Sequence, residues 1–207
     1  TACRWLRCAS NCVASESCAF DIIGANPFRS DVPTAKSKKI NPFTEAEMNA
    51  ILDRAAGHRN GIVIYLAFLC GMRQGECMGL KWSDIDWETA ELRIGRQVVE
   101  QGARLEIRDP KTAAGIRTIV APAVVMAMLR KRRLAATVEG CARLDDFVIT
   151  ASAGSREPMR RTNFSHRTWT KMLAGRKGGR GWEPLPKLAD HRGLHHARHT
   201  FASLMLQ

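Results

Sequence analysis

The stretch of sequence that decides the fold is Gly61-Ile62-Val63-Ile64-Tyr65-Leu66-Ala67-Phe68-Leu69-Cys70, followed by Gly71-Met72-Arg73-Gln74-Gly75-Glu76. Residues 61–70 are apolar almost all round, which predicts a buried central helix because a surface helix carries polar residues on one side. Gly71 ends that helix, and a short helix over residues 72–80 follows. Arg73 therefore opens a helix beside the core, where its side chain can point into a cleft.

A well-marked helix start lies on the N-terminal side of this stretch. Thr44 and Glu47 form the T-x-x-E pattern of a capping box, and Phe43 and Met48 supply the hydrophobic staple around it. We therefore predict a helix that runs to about Ala56. Its inward residues at helical spacing are Met48, Ile51, Leu52 and Ala55.

Strand and helix patterns alternate on the C-terminal side. Residues 92–94, 104–107 and 117–120 have the two-residue period of strands, with turns at 101–102 and 109–115. Further helices are predicted over residues 122–136, 162–174 and 195–206. The fold class is therefore mainly α with a small three-stranded antiparallel β-sheet, an α+β arrangement.

The composition fits a folded protein with an unusual charge. Among 207 residues, 32 are Lys or Arg and 20 are Asp or Glu, which gives a formal net charge of +12. Such an excess suits a polyanion, because contacts to phosphates release condensed counterions. A merely basic soluble protein is the simpler alternative. Charge permits DNA as the partner but does not select it.

Cysteines and apolar runs bear on the compartment. Four of the seven cysteines lie in the first 18 residues, without a C-x-x-C spacing or a nearby histidine, which argues against a zinc site. No apolar run reaches the length of a membrane span, and the N-terminal residues lack the pattern of a signal peptide. We therefore predict a reducing cytoplasm and no metal.

Three short boxes carry the groups that a phosphodiester-cutting site needs. They read Gly71-Met72-Arg73-Gln74-Gly75-Glu76, Pro110-Lys111-Thr112 and His195-His196-Ala197-Arg198-His199-Thr200. A phosphodiester under attack gathers negative charge, and arginine stabilises it because the planar guanidinium donates in pairs and stays charged. A lysine can give a proton to the leaving oxygen, since neighbouring cations make its ammonium more acidic.

Each box alone has a simpler interpretation. Arg73 and Glu76, three residues apart, can form an ordinary surface ion pair on a helix. A lysine at a hairpin tip is usually only solvated, and a lone histidine is usually a surface or core residue. His195 and Arg198 share one helix face, so both can reach one ligand, whereas His199 fits a bracing role better.

In this order the boxes resemble the tyrosine recombinase (phage integrase) family, whose boxes read roughly G-x-R-x-G-E, K-T and H-x-x-R-H-T. The resemblance covers about residues 20–207. It implies catalytic roles for Arg73, Lys111, His195 and Arg198, with Glu76 and His199 in support. It also implies the catalytic fold of DNA breaking-rejoining enzymes and attack by a tyrosine hydroxyl on DNA. A 3′-phosphotyrosyl intermediate follows, without a metal or nucleotide cofactor.

The resemblance also predicts the domain plan. Residues 29–41, rich in Pro, Ser and Lys, predict an exposed linker. Residues 1–28 are then the tail of an N-terminal DNA-clamping domain or an unrelated leader, and residues 42–207 a catalytic domain incomplete at its C-terminus. The family carries its second histidine and its nucleophilic tyrosine beyond the position of Gln207. Tyr65, the only tyrosine, lies in the buried run and is predicted to be a core residue.

Duplex DNA is the predicted partner, with a tetramer on DNA implied for the full-length protein. Residues 156–180 are strongly basic, with Glu157 as the only acid, and predict a surface that follows the DNA backbone. The predicted DNA-binding residues are Lys36, Lys38, Lys39, Arg117, Arg160, Arg161, Arg167, Lys171, Arg176, Lys177 and Arg180.

Three functions remain open from the sequence. The first is a site-specific DNA recombinase or integrase, of which this chain lacks the tyrosine segment and is therefore inactive as given. The second is a catalytically inactive DNA-binding remnant of an integrase. The third is a type IB topoisomerase, which shares the chemistry but fits the linker and box spacing less well.

Overall fold

The computed structural model describes residues 41–102, 104–109, 115–175 and 192–206. All of them belong to the second of the two units into which the chain divides, Ile40–Gln207. Within these ranges, no helix is long and apolar enough to cross a membrane. Residues 1–28 with their four cysteines, and the predicted linker up to residue 40, lie outside the described residues, so the predicted domain plan stays a prediction.

The first helix, α1 (Glu45–Ala56), starts at the predicted capping box. The Glu47 N–H donates to Thr44 Oγ1 at 3.3 Å, and the Thr44 N–H donates to Glu47 Oε2 at 2.9 Å. Met48, Ile51 and Ala55 are buried, and Leu52 is partly buried against the core. The predicted start and inward face of this helix are therefore confirmed.

The apolar run forms α2 (Ile62–Leu69), which is buried from Ile62 through Phe68. Aromatic rings pack around it: the Phe43 ring centroid lies 5.4 Å from that of Phe68 and 5.9 Å from that of Trp169. The core of the described domain is therefore built around α2. A short helix, α3 (Gln74–Gly79), and a 3₁₀ turn (Trp82–Asp84) follow it.

Among the described residues, the β-structure has four strands, one more than the sequence predicted. Strand β1 (Glu91–Ile94) pairs antiparallel with β4 (Arg117–Val120), and β2 (Gln97–Gln101) pairs antiparallel with β3 (Arg104–Arg108). The strands thus form two separate two-stranded sheets. The extra strand, β2, escaped prediction because of its five residues only Val98 is buried, so its apolar alternation is weak.

Three helical segments complete the described domain. Helix α4 (Ala123–Val138) buries Val125, Met126, Leu129 and Ala136. A helical stretch predicted as continuous is α5 (Arg161–Phe164), a π-helical turn (Ser165–Trp169) and α6 (Thr170–Ala174). The last helix is α7 (His195–Met205).

Helix α7 packs onto the central helix through a close backbone approach at Gly71. Gly71 has a φ of +60°, and a Cβ atom built there would lie 2.4 Å from the Phe201 ring. Thr200 also accepts a 2.8 Å hydrogen bond from the Phe43 N–H. These contacts fix the last box of the sequence beside the first.

Candidate active site

Arg73 is held by the residue that shares its helix turn. It stands directly before α3, where its N–H donates to Glu76 Oε2 at 2.8 Å and its Nη1 donates to Glu76 Oε1 at 2.9 Å. The Arg73 side chain nevertheless remains 55% exposed. One edge of its guanidinium is therefore fixed, while much of the side chain remains free to contact a ligand.

Glu76 is a buried carboxylate shared by two arginines. Its side chain is 6% exposed, and Arg117 donates to it from Nη1 at 3.1 Å and from Nη2 at 2.7 Å. Burial acts to raise the pKa of Glu76, but the hydrogen bonds from Arg117 and Arg73 outweigh it and hold that pKa below its ordinary value. Glu76 is therefore ionised at neutral pH.

Arg198 reaches the same place from the far end of the sequence. It lies on α7 and its Nη1 donates to the carbonyl oxygen of Gly71, two residues before Arg73. Burial lowers the pKa of Arg198, and the charge of Arg73 adds to that effect. The group still stays protonated at neutral pH, because a guanidinium does not titrate in that range.

His195 begins α7 and sits against a second histidine. Its ring meets the His199 ring edge to face, with centroids 4.5 Å apart. Burial, then His199 and Arg198, lower the pKa of His195 below its ordinary value. His195 is therefore mainly neutral at pH 7, and its exposed ring can accept or donate a proton.

Arg73, His195 and Arg198 line one cleft of about 280 Å³. The residues that line it are Met72, Arg73, Gln74, Gly75, Gln97, Val98, Val99, Glu100, Arg161, Leu194, His195 and Arg198. Gly71 of the first box and Arg198 of the third are 127 residues apart in the sequence, and the fold brings them into contact. Such a cleft can bind one doubly or singly charged phosphate between fixed guanidinium groups.

The cleft wall contains residues that the boxes did not indicate. Glu100 of β2 accepts hydrogen bonds of 2.9 Å from both the N–H and the hydroxyl of Thr162. Gln74 donates to the Arg161 carbonyl at 3.1 Å. These bonds hold the start of α5, and with it Arg161, beside α3. For Arg161, the signal in the sequence was the basic character of residues 156–180, whereas no pattern in the sequence indicated Glu100.

The other predicted site residues fall into three groups. Arg117 is engaged with Glu76, and Arg160 donates to the Gly102 carbonyl at 3.4 Å. Arg167 and Lys171 are exposed on the helical stretch that follows α5. The remaining ones lie outside the described residues: Lys36, Lys38, Lys39, Lys111, Arg176, Lys177 and Arg180.

Tyr65 does not belong to the cleft. It is 6% exposed, and its hydroxyl donates to the Leu52 carbonyl at 3.0 Å. Burial also raises the pKa of Tyr65, so its phenolate is harder to form. A buried and hydrogen-bonded hydroxyl cannot approach a DNA phosphate, which makes Tyr65 a core residue.

The described domain is mainly helical, and two arginines and a histidine from distant parts of the sequence share one of its clefts. Residues 39–207 match the Phage integrase family. The chain belongs to this family, the tyrosine recombinases.

Individual relatives agree with this assignment. The chain is 32% identical over 187 residues to a tyrosine recombinase XerC-like protein of Caldanaerobacter subterraneus subsp. tengcongensis, covering 82% of this chain and 44% of that protein. It is 36% identical over 106 residues to a putative prophage phiRv2 integrase of Mycobacterium tuberculosis, covering 50% of this chain and 28% of the relative. The chain thus spans less than half the length of these relatives.

Solved structures share the fold. The integrase of the transposon Tn1549, in complex with a circular intermediate DNA, superposes with a TM-score of 0.68 at 20% identity, covering 98% of this chain and 66% of that one. The XerA recombinase superposes with a TM-score of 0.57 at 15% identity, covering 80% and 50%.

Proposed function

We propose that this chain is part of a tyrosine recombinase that cuts and rejoins DNA at specific sites, in integration or a related recombination. The observation that carries the proposal is the single cleft lined by Arg73, His195 and Arg198, with Glu76 fixing the first arginine. The family assignment favours a recombinase over a type IB topoisomerase.

Each cleft residue has a role in this proposal. Arg73 and Arg198 bind the non-bridging oxygens of the scissile phosphate and stabilise the charge that grows there during attack. His195, neutral near pH 7, exchanges a proton with the reacting groups. Lys111 protonates the departing 5′-oxygen. Glu76 and Arg117 are positioning residues, because they act on the phosphate only through Arg73.

The nucleophile in this proposal is a tyrosine outside the 207 residues. Its hydroxyl attacks the phosphorus, a 3′-phosphotyrosyl bond forms and the 5′-oxygen leaves with a proton. The buried Tyr65 cannot serve, so the chain by itself binds DNA without cleaving it. The proposed reaction consumes no nucleotide cofactor, because the energy of the broken phosphodiester is kept in the phosphotyrosyl bond. It includes no metal, because Arg73 and Arg198 are assigned the stabilisation of the phosphate charge.

Duplex DNA is the proposed partner, and a tetramer on DNA the proposed assembly of the whole protein. The net charge of +12 supports a DNA partner. Arg161 at the cleft, with Arg167 and Lys171 exposed further along, extends a basic surface away from the scissile position. The three buried thiols of Cys70, Cys77 and Cys141 fit the predicted reducing cytoplasm.

The alternative is a remnant that occupies DNA without a catalytic role. The burial of Tyr65 does not distinguish the remnant from the recombinase, because Tyr65 does not attack DNA under either function. The fixed geometry of Arg73 favours the recombinase, since simple DNA binding does not require an arginine braced by a buried carboxylate.

Binding and adduct formation test the proposal on the chain itself. Residues 1–207 should bind duplex DNA with an affinity that falls steeply as salt rises, and should form no covalent adduct with nicked DNA. Absent or salt-insensitive binding would remove the DNA partner, and an adduct at Tyr65 would overturn the assignment of the nucleophile.

Cleavage by a longer protein separates the two functions. In a version that includes the tyrosine, Arg73→Ala or Arg198→Ala should lower the cleavage rate by orders of magnitude while DNA affinity stays close to that of the parent. Arg143→Ala, at an exposed arginine away from the cleft, is the control. Equal losses of binding and cleavage would make both residues docking groups, and the absence of cleavage by the longer parent protein would favour the remnant.

A further inference from the structure

Arg192 lies three residues before His195, in a segment that none of the three boxes includes. Its side chain is 14% exposed, so this charged group is largely withdrawn from solvent. A cation is rarely buried without partners, because removing its charge from water is costly. The partners of Arg192 therefore indicate its role.

The Arg192 guanidinium is attached to the start of α1. Its Nη1 donates to the Pro42 carbonyl at 2.9 Å, and its Nη2 donates to Glu47 Oε1. The guanidinium carbon also lies 4.2 Å from the centroid of the Phe43 ring, whose face attracts a cation. Burial acts to raise the pKa of Glu47, but hydrogen bonds from Thr44 and Arg192 hold that pKa below its ordinary value. The Arg192–Glu47 pair is therefore ionic at neutral pH.

The backbone of Arg192 is attached to a second element. Its carbonyl oxygen accepts a 2.8 Å hydrogen bond from the indole N–H of Trp169, at the end of the π-helical turn. Trp169 is itself buried and packs against Phe43. Side chain and backbone together therefore fix Arg192 between α1 and the π-helical turn.

Among the described residues, no side chain caps the start of α7. The first turn of an uncapped helix tends to fray, because its N–H groups lack helical partners. His195 is the first residue of α7. Arg198, three residues later, is held separately by its bond to the Gly71 carbonyl. His195 is therefore the residue whose position depends more on the segment that leads into α7.

We propose that Arg192 is a positioning residue, which holds the first turn of α7 so that His195 faces the bound phosphate. This role rests on the proposed function, which places a phosphate in the cleft. Arg192 is not among the described residues that line the cleft, and its guanidinium is occupied by Pro42 and Glu47, so it acts through the backbone. A lysine cannot replace it, because one ammonium lacks the planar fork that donates to both acceptors.

Proton NMR on the whole 207-residue chain tests this role with Arg192→Lys, which keeps the charge. In the parent, the ring centroids of His195 and His199 are 4.5 Å apart, so an Overhauser cross-peak should join the two rings. Arg192→Lys should reduce that cross-peak to less than about half, because fraying of the first turn separates the rings. The pKa of His195 should also rise towards its ordinary value of 6.5, because the burial that lowers it is lost together with the closeness of His199 and Arg198.

Arg59→Lys is the matched control, because Arg59 likewise forms a partly buried ion pair, with Glu139, but is not part of the cleft lining. It should lower the melting temperature, as Arg192→Lys does, and leave the His195 signals unchanged. Phenyl phosphate, followed by ³¹P NMR, should bind about fivefold more weakly to Arg192→Lys, which is the effect of one lost hydrogen bond. Its affinity for Arg59→Lys should equal that of the parent.

A reduced cross-peak in Arg192→Lys beside an unchanged one in Arg59→Lys supports the positioning role. Parent-like His195 signals in Arg192→Lys, or equal changes in both variants, would overturn it. Glu47→Gln takes the place of Arg192→Lys if the latter does not fold, because glutamine keeps the capping box and removes the charge that pairs with Arg192; a parent-like cross-peak there would equally overturn the role. Failure of the parent to bind phenyl phosphate would instead contradict the proposed function, since the cross-peak is measured without phosphate.

Discussion

Arg117 donates two hydrogen bonds to Glu76, the same buried carboxylate that holds Arg73. Arg117 opens β4, and Lys111 precedes it by six residues in the sequence. The Arg117–Glu76 ion pair therefore joins β4, the strand that follows Lys111, to the turn that carries Arg73. A substitution of Glu76 should therefore disturb the positions of both Arg73 and Arg117.

Glu76→Gln should lower the free energy of unfolding by about 2–3 kcal/mol, because two arginines lose a buried, ionised acceptor. Urea denaturation at pH 7 measures the change. The control is Glu106→Gln, which removes an exposed ion pair with Arg108 and should cost less than about 1 kcal/mol. Equal losses from both substitutions would show that the Glu76 cluster contributes no more than a surface pair.

Gly71→Ala should destabilise the domain by about 1–2 kcal/mol or more, because alanine is strained at a positive φ and its Cβ meets the Phe201 ring. It should also displace the carbonyl that accepts from Arg198. Gly57→Ala is the matched control, since Gly57 has a φ of −91° and nothing lies within 4 Å of its added Cβ. A thermal melt in which both variants unfold together would contradict the close approach of α7.

Glu139 should carry a large part of the acid sensitivity. Hydrogen bonds from Arg59 are the main cause that lowers its pKa to about 2, against an ordinary value of 4.5. A depressed folded-state pKa stabilises the protein above the ordinary value, and the stabilisation is lost as the pH falls from about 4.5 towards 2. The stabilisation lost in this way is at most about 3 kcal/mol.

Urea midpoints measured between pH 6 and pH 3 test this dependence. Glu139→Gln should be less stable than the parent at pH 6 and should lose less stability on acidification. Glu88→Gln, at an exposed carboxylate, is the control and should retain the acid loss of the parent. Parallel curves for the parent and Glu139→Gln would assign the acid loss to other groups.

His195 should titrate below the ordinary histidine pKa of 6.5, because burial and the neighbouring His199 and Arg198 disfavour its cationic form. The corresponding stabilisation is present above that ordinary value and is lost as the pH falls below it. Phenyl phosphate bound in the cleft should raise the pKa of His195, since a nearby anion favours the imidazolium. The ring proton signals followed by NMR, with and without the probe, measure both shifts. A titration unchanged by the probe would place His195 away from the bound phosphate.

Local patterns in the sequence predicted most of the helices. The capping box at Thr44 and the apolar run before Gly71 each fix a helix through neighbours in the chain, so they are visible without coordinates. The spacing of His195 and Arg198 likewise fixes their shared helix. The approach of Arg198 to the Gly71 carbonyl did not follow from spacing, because it depends on how α7 packs across α2.

Contacts between distant segments could not be predicted. The partner of Arg117 is 41 residues away on another element, and a basic residue near a strand end is equally compatible with DNA or solvent. Strand β2 pairs through its backbone, which leaves little trace in its side chains. Glu100 belongs to that strand, so its position in the cleft wall could not be predicted either.

A double-mutant cycle on the binding of phenyl phosphate, followed by ³¹P NMR, tests whether Arg73 and Arg198 share one phosphate; it compares Arg73→Ala, Arg198→Ala and the double variant. If both guanidinium groups hold one phosphate, each single change should weaken binding, and the two effects should be non-additive by at least about 1 kcal/mol. Arg143→Ala should bind like the parent. Additive effects, or binding untouched by either change, would contradict a shared phosphate site.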